Sequence, residues 1–248
     1  MKLFIITALS VMFFVSCQQK NISQKTNSQA DTTKINLNYE GQEFQFSFNK
    51  GSSHNHPSFV VWIEDMNGNY IQTLFITKSI ANGVFGHAQG PDGTWKSTSG
   101  EGYRPAALPY WNNKQTEIIK EISKIPTPEN KVADAFTGAT PVSDFYLITK
   151  AKNTIHEPFR ILFEVNQPWD WNEYWNNTKY PEDKDYMTSC QPSLIYAVSI
   201  NTKLWGNEYY LNPIGHGHFS GKDGQLYTDL SNFTTALHIA ENIKVTIK

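Results

Sequence analysis

The chain has 248 residues and a formal net charge of −2, so nothing in its charge balance points to nucleic acid or an acidic surface as partner. That length suits one large all-β domain or two small ones, with ample residues for a hydrophobic core. Aromatic residues make up 14% of the chain, a high share, and the only cysteines are Cys17 and Cys190.

The N-terminus predicts export. Met1-Lys2 is a short positive start, and Leu3 to Val15 is an apolar run broken only by Thr7 and Ser10. The run is short of the roughly 20 residues of a membrane span and matches the apolar region of a secretory leader. Val15-Ser16-Cys17 resembles a lipobox, which makes residues 1–16 a lipoprotein signal peptide and Cys17 the lipidated first residue of the mature protein. Residues 17–34 are rich in Gln, Asn, Ser, Thr and Lys, and read as a disordered tether. With Cys17 lipidated, Cys190 is left as a free thiol, a small residue most often buried.

Residues 35–248 read as a single, mainly β domain. Alternation of Tyr39, Phe44, Phe46 and Phe48 predicts a strand or hairpin around Glu40-Gly41. Ser58 to Ile76 predicts a hairpin with Asn67-Gly68 at its turn. Gly83 to Gly102 is rich in glycine and proline and reads as loop. Ile118, Ile119, Ile122 and Ile125 give Thr116 to Ile125 a helical period ended by Pro126. Phe145 to Ala151, Phe159 to Val165, Leu194 to Ile200 and Ile243 to Ile247 read as strands, while Thr234 to Ile243 is ambiguous with a short helix. The pattern predicts a β-sandwich with long loops and one or two short helices.

Several stretches carry a resemblance: Phe59 to Asp65, Thr73-Leu74-Phe75, Arg104 to Trp111 and Asp134 to Pro141. They resemble a family of predicted periplasmic proteins of unknown function, some of them likened to flagellar hook-capping proteins for an immunoglobulin-like sandwich. The likeness covers roughly Tyr39 to Val165, and it implies an immunoglobulin-like fold and a place beside extracytoplasmic flavin transferases.

Within that region Asp134-Ala-Phe-Thr-Gly-Ala-Thr140 is similar to the acceptor sequence on which flavin transferases join FMN to the last threonine. The resemblance implies that Thr140 is the acceptor and that Asp134, Thr137, Gly138 and Ala139 are recognition residues. Ser143 stands where many acceptor segments carry a second hydroxyl, and Arg104 falls where it could face a flavin's N1 region. Small residues before the acceptor remove bulk and let the backbone approach another protein's active site. The usual acceptor domain continues into a helix, whereas Pro141 and a strand at Phe145 follow here. The alternative is a tight turn, capped by Asp134, with Gly138 at positive φ.

Two other features carry chemistry. Pro168 to Trp175 holds four aromatics, and Trp171 and Trp175 share a face if the segment is helical. Such rings can stack a flavin, a sugar or a partner chain, or else cover the open end of the sandwich. His54 and His56, and His216 and His218, are spaced to chelate Zn²⁺ or Cu²⁺ if each pair lies on a strand and the pairs meet. No nucleophile elbow, His-Glu-x-x-His or phosphate-cradling glycine loop is present, which weighs against a hydrolase. The working expectation is a membrane lipoprotein, facing the periplasm or cell surface, that carries electrons on covalent FMN. Its partners would be a flavin transferase and membrane redox proteins; the alternative is a non-catalytic lipoprotein binding a metal, a saccharide or a partner chain.

Overall fold

The computed structural model describes residues 31–89, 95–119, 125–129, 131–132, 137–204 and 206–248. The expected leader, Cys17, most of the expected tether and Asp134 lie outside them. In chain order the strands are β1 (Asp31–Lys34), β2 (Glu43–Lys50), β3 (Ser58–Asp65) and β4 (Tyr70–Thr77), followed by helix α1 (Lys78–Asn82). Four two-residue strands come next: β5 (Val84–Phe85), β6 (Ala88–Gln89), β7 (Trp95–Lys96) and β8 (Gly100–Glu101). Helix α2 (Pro109–Ile119), β9 (Thr137–Gly138), β10 (Phe145–Lys150), β11 (Phe159–Asn166) and β12 (Leu194–Ile200) follow. The chain closes with β13 (Glu208–Tyr210), β14 (Asn212–His216) and β15 (Ala240–Ile247).

The expected mainly β sandwich is present. One sheet has five strands in the order β1-β10-β2-β15-β13, the other six in the order β14-β12-β11-β3-β4-β9. Alternation decides which side chains meet between them. Phe44, Phe46 and Phe48 of β2, with Ile243, Val245 and Ile247 of β15, face Phe59, Val61 and Ile63 of β3 and Phe159, Ile161 and Phe163 of β11 in one core. Phe59 sits at its centre, with ring centroids 5.1 Å from Phe163, 5.2 Å from Phe75 and 5.8 Å from Phe48.

A third layer covers the outer face of the six-stranded sheet. Val60, Trp62, Ile76, Leu162 and Ile195 pack there against Ile80 and Ala81 of α1, Tyr110 and Trp111 of α2, and Ala107 and Leu108 just before it. Cover on both faces explains why Phe59-Val60-Val61-Trp62-Ile63 is an unbroken apolar run. Trp62 and Trp111 are fully buried, and Trp111 Nε1 donates to Thr73 Oγ1 at 2.8 Å.

Four expectations need correction. Asp31–Lys34, expected as the end of a disordered tether, form β1 and pair in parallel with β10. The Gly83 to Gly102 stretch holds two short antiparallel ladders, β5 with β8 and β6 with β7. The helix begins at Pro109, seven residues before Thr116; proline lacks the N–H that the first helical position leaves unpaired, and a distant carboxylate takes the next two N–H groups. Residues 120–124, half of the expected helix, lie outside the described residues. Trp171 and Trp175 share no helical face, since the segment between β11 and residue 175 is turn and bend.

Replacing Phe59 by Ala removes the ring that touches both sheets. We expect Phe59→Ala to cost about 3–5 kcal/mol in urea unfolding. A loss below about 1 kcal/mol would contradict this packing, because a collapsed site alone leaves such a small cost.

Candidate functional site

Five segments converge on one end of the six-stranded sheet, and topology explains why. β11 and β4 both end there, and β9 runs parallel to β4 and ends beside it; β3, antiparallel to its neighbours, begins there. The rim therefore collects the loop before β3, the start of α1, the segment after β5, the residues after β9 and those after β11. Between them lies a cleft of about 500 Å³ whose lining includes His56, Phe85, His87, Arg104, Thr140 and Trp169, with Ser58, Ser79 and Pro168 among the rest of the wall.

The threonine-glycine motif forms this rim as an extended edge. Thr137 and Gly138 pair with Ile76 and Thr77 of β4, and Gly138 is not among the described residues with positive φ. Gly138 therefore lacks the positive φ that the tight-turn alternative gave it, and Asp134, the expected cap, lies outside the described residues. Gly138 is required for a different reason: an added Cβ would stand 2.9 Å from the ring of Phe75, which is fully buried and cannot withdraw. Ala139 is exposed, Thr140 is half-buried against the cleft and Pro141 is buried. Of the motif residues the structure thus brings Thr140 to the cleft, and leaves Thr137, Gly138 and Ala139 as the edge that delivers it.

His54 steadies that edge. Its ring stands 5.6 Å from Phe48, and Nε2 donates to the Pro141 carbonyl at 3.0 Å. Gln167 holds the same loop from the other side, accepting from Asn55 N at 2.6 Å and donating to Ser53 O at 2.7 Å. His56 and Trp169, both at the cleft, have φ of 55° and 60°, two of the four non-glycine residues with positive φ among those described. Such backbone strain gathers at binding and catalytic sites.

Arg104 forms the opposite wall. Its guanidinium lies over the Phe85 ring at 4.4 Å and the Trp169 ring at 5.4 Å, and Nη2 donates to the His87 carbonyl at 2.9 Å. Burial draws its pKa down to about 10, still charged at neutral pH.

The start of α2, which follows Arg104 in the chain, is held by a buried carboxylate that sequence reasoning missed. Glu164 of β11 accepts from Tyr110 N at 3.2 Å, Trp111 N at 2.7 Å and Ser193 Oγ at 2.5 Å. It is fully buried at the N-terminus of α2, where the helix dipole favours a negative group. Burial nevertheless raises its pKa to about 7. A lone glutamate in an apolar strand, Phe159-Arg-Ile-Leu-Phe-Glu164, was the available signal.

The two histidine pairs are not brought together. Gly217, between His216 and His218, is the glycine that Glu164 and Pro109 require: an added Cβ would stand 2.6 Å from Ser193 Oγ and 2.8 Å from Pro109 Cγ. His216 stacks on Tyr227 at 5.3 Å, and His218 Nδ1 accepts from Ser220 N at 3.1 Å. Among the described residues no three His, Cys, Asp or Glu side chains form a group that could hold a metal ion. The aromatic segment divides: Trp175 is buried against Phe233, Tyr186 and Phe219, Trp169 lines the cleft, and Trp171 and Tyr174 are exposed. Cys190 is buried and free, and burial raises its thiol to about 11. No helix among the described residues is long and apolar enough to cross a membrane.

Glu164 generates a pH prediction. Its pKa is 4.5 in an unfolded chain and about 7 in the fold, so between those values the native state holds a proton that the unfolded state has released. Stability from this group therefore falls as pH rises through that window, by on the order of 3 kcal/mol. In urea unfolding at pH 5 and pH 8, Glu164→Gln should lose less stability than the wild type on going to pH 8. Parallel losses in the two proteins would contradict the assignment.

Comparison of the chain with family models, curated proteins and solved structures finds no match.

Proposed function

We propose that this protein is an extracytoplasmic electron carrier, tethered to the membrane through Cys17, with FMN joined through its phosphate to Thr140. The observation that carries the reading is the position of Thr140. The last residue of the acceptor-like motif lines a cleft of about 500 Å³ walled by Phe85 and Trp169, a size within the range of cofactor sites.

Attachment is a group transfer from FAD. The Thr140 hydroxyl oxygen forms a bond to the FMN phosphorus, the phosphoanhydride bond to AMP breaks, and AMP leaves. The hydroxyl proton goes to a base of the transferase, which also supplies Mg²⁺. The edge position of Thr137 and Gly138 suits this, because an edge strand has one side free of sheet partners. Once bound, the flavin supplies one- and two-electron chemistry, and the protein tunes it by burial and nearby charge. The chain's own residues position the acceptor: Gly138 lets the edge lie on Phe75, and His54 holds the Pro141 carbonyl next to Thr140.

Co-expression with a flavin transferase in an exporting host tests the reading. The wild type should show in-gel flavin fluorescence and an intact mass raised by one FMN less a water, and Thr140→Ala should show neither. An unmodified wild type, with the transferase active on a control acceptor, would overturn it.

A further inference from the structure

Among the described residues Arg104 is the one Lys or Arg that lines the cleft, and no Asp or Glu does, although the whole chain carries a formal charge of −2. Three other cations among the described residues stand by carboxylates: Lys222 3.1 Å from Asp183, Lys244 2.7 Å from Glu208 and Arg160 3.9 Å from Glu64. Arg104 makes no ion pair among the described residues, and its Nε is buried without an acceptor. Its neighbours are the rings of Phe85 and Trp169, which attract a cation but do not neutralise it. A cation drawn from water toward apolar walls calls for a counter-charge. Among the described residues the cleft wall supplies none, and an anionic ligand would.

The chemistry of that ligand follows from what lines the site. A guanidinium presents a planar fork of donors that matches phosphate oxygens. Ser58, Ser79 and Thr140 add hydroxyls, and Trp169, held at φ 60° by its N–H to the Ser189 carbonyl at 2.7 Å, offers an aromatic surface at the same rim.

We infer that the cleft is a non-covalent binding site for a phosphoryl-bearing aromatic ligand, with Arg104 taking the phosphoryl oxygens and Trp169 the ring. The choice of FMN as that ligand rests on the flavin reading above; the need for an anion beside Arg104 does not. On this account the cleft holds the flavin phosphate by charge as well as by the bond at Thr140.

The test uses the full mature chain in detergent, purified from a host lacking a flavin transferase, with tryptophan fluorescence as the readout. FMN should bind, inorganic phosphate should compete with it, and riboflavin, which lacks the phosphate, should bind more weakly. Arg104→Gln should weaken FMN by about tenfold or more while leaving riboflavin within about threefold, and Arg104→Lys should lose less than the glutamine variant. No FMN binding to the wild type, or equal FMN affinity in wild type and Arg104→Gln, would overturn the inference. The phosphate competition needs no variant, so a misfolded Arg104→Gln leaves the test intact: competition supports the inference and its absence overturns it. Covalent flavinylation without free FMN binding would overturn this inference and keep the covalent reading. Binding of free FMN through Arg104 without covalent modification would do the reverse.

Discussion

The Glu164 carboxylate ties the layers of this protein together. It lies in the middle of the six-stranded sheet, sealed from water, and survives there because two helix N–H groups and one hydroxyl satisfy it. Removing one partner would leave a buried polar group unpaired, which costs more than the bond itself contributes. This gives the contact its leverage. It sets where α2 begins, and the residues running into α2 carry Arg104 to the cleft. It also explains why the loop after β14 has glycine at 217, the one residue thin enough to pass over Pro109 and Ser193.

From that constraint the candidate site follows as a matter of strand direction. An outer layer pinned over the sheet leaves one end of the strands uncovered, and the loops from β3, β4, β9 and β11 meet there. Their backbones are held by contacts outside the cleft: His54 to Pro141, Gln167 to Ser53 and Asn55, and Trp169 N to Ser189. The cleft is thus walled by groups whose positions are set elsewhere, the arrangement that favours binding without a large ordering cost.

How much of this could be read from the sequence varies with the range of the deciding interaction. The β3–β4 hairpin was legible because both of its signals are local: apolar runs flanking Asn67-Gly68, with Gly68 at φ 84° as such a turn requires. Leu194–Ile200 was legible down to its ends, as a dense apolar run closed by Asn201. Helix α2 was displaced because its start depends on Glu164, more than fifty residues away, and a period of isoleucines cannot report that. β1 was missed because a polar segment of four residues gains its order from parallel pairing with β10. Trp171 and Trp175 have helical spacing, yet the positive φ of Trp169 turns the chain before them. At the site, the motif ending in Thr140 was visible, but its extended form, its reliance on Phe75 and its neighbour Arg104 belong to the tertiary structure. The His-x-His spacing of residues 216–218 was visible as well, and the structure gives its glycine a packing reason instead.

The central claim is that one hydroxyl, on Thr140 at the cleft rim, carries the ligand's phosphate. Fragmentation mass spectrometry of the tryptic peptide Val132 to Lys150, taken from protein co-expressed with a flavin transferase, tests it most directly. That peptide also contains Thr137, Ser143 and Thr149, so it holds its own controls. The account predicts FMN on Thr140 alone. A peptide without FMN, or with FMN on Thr137 or Ser143, would contradict it.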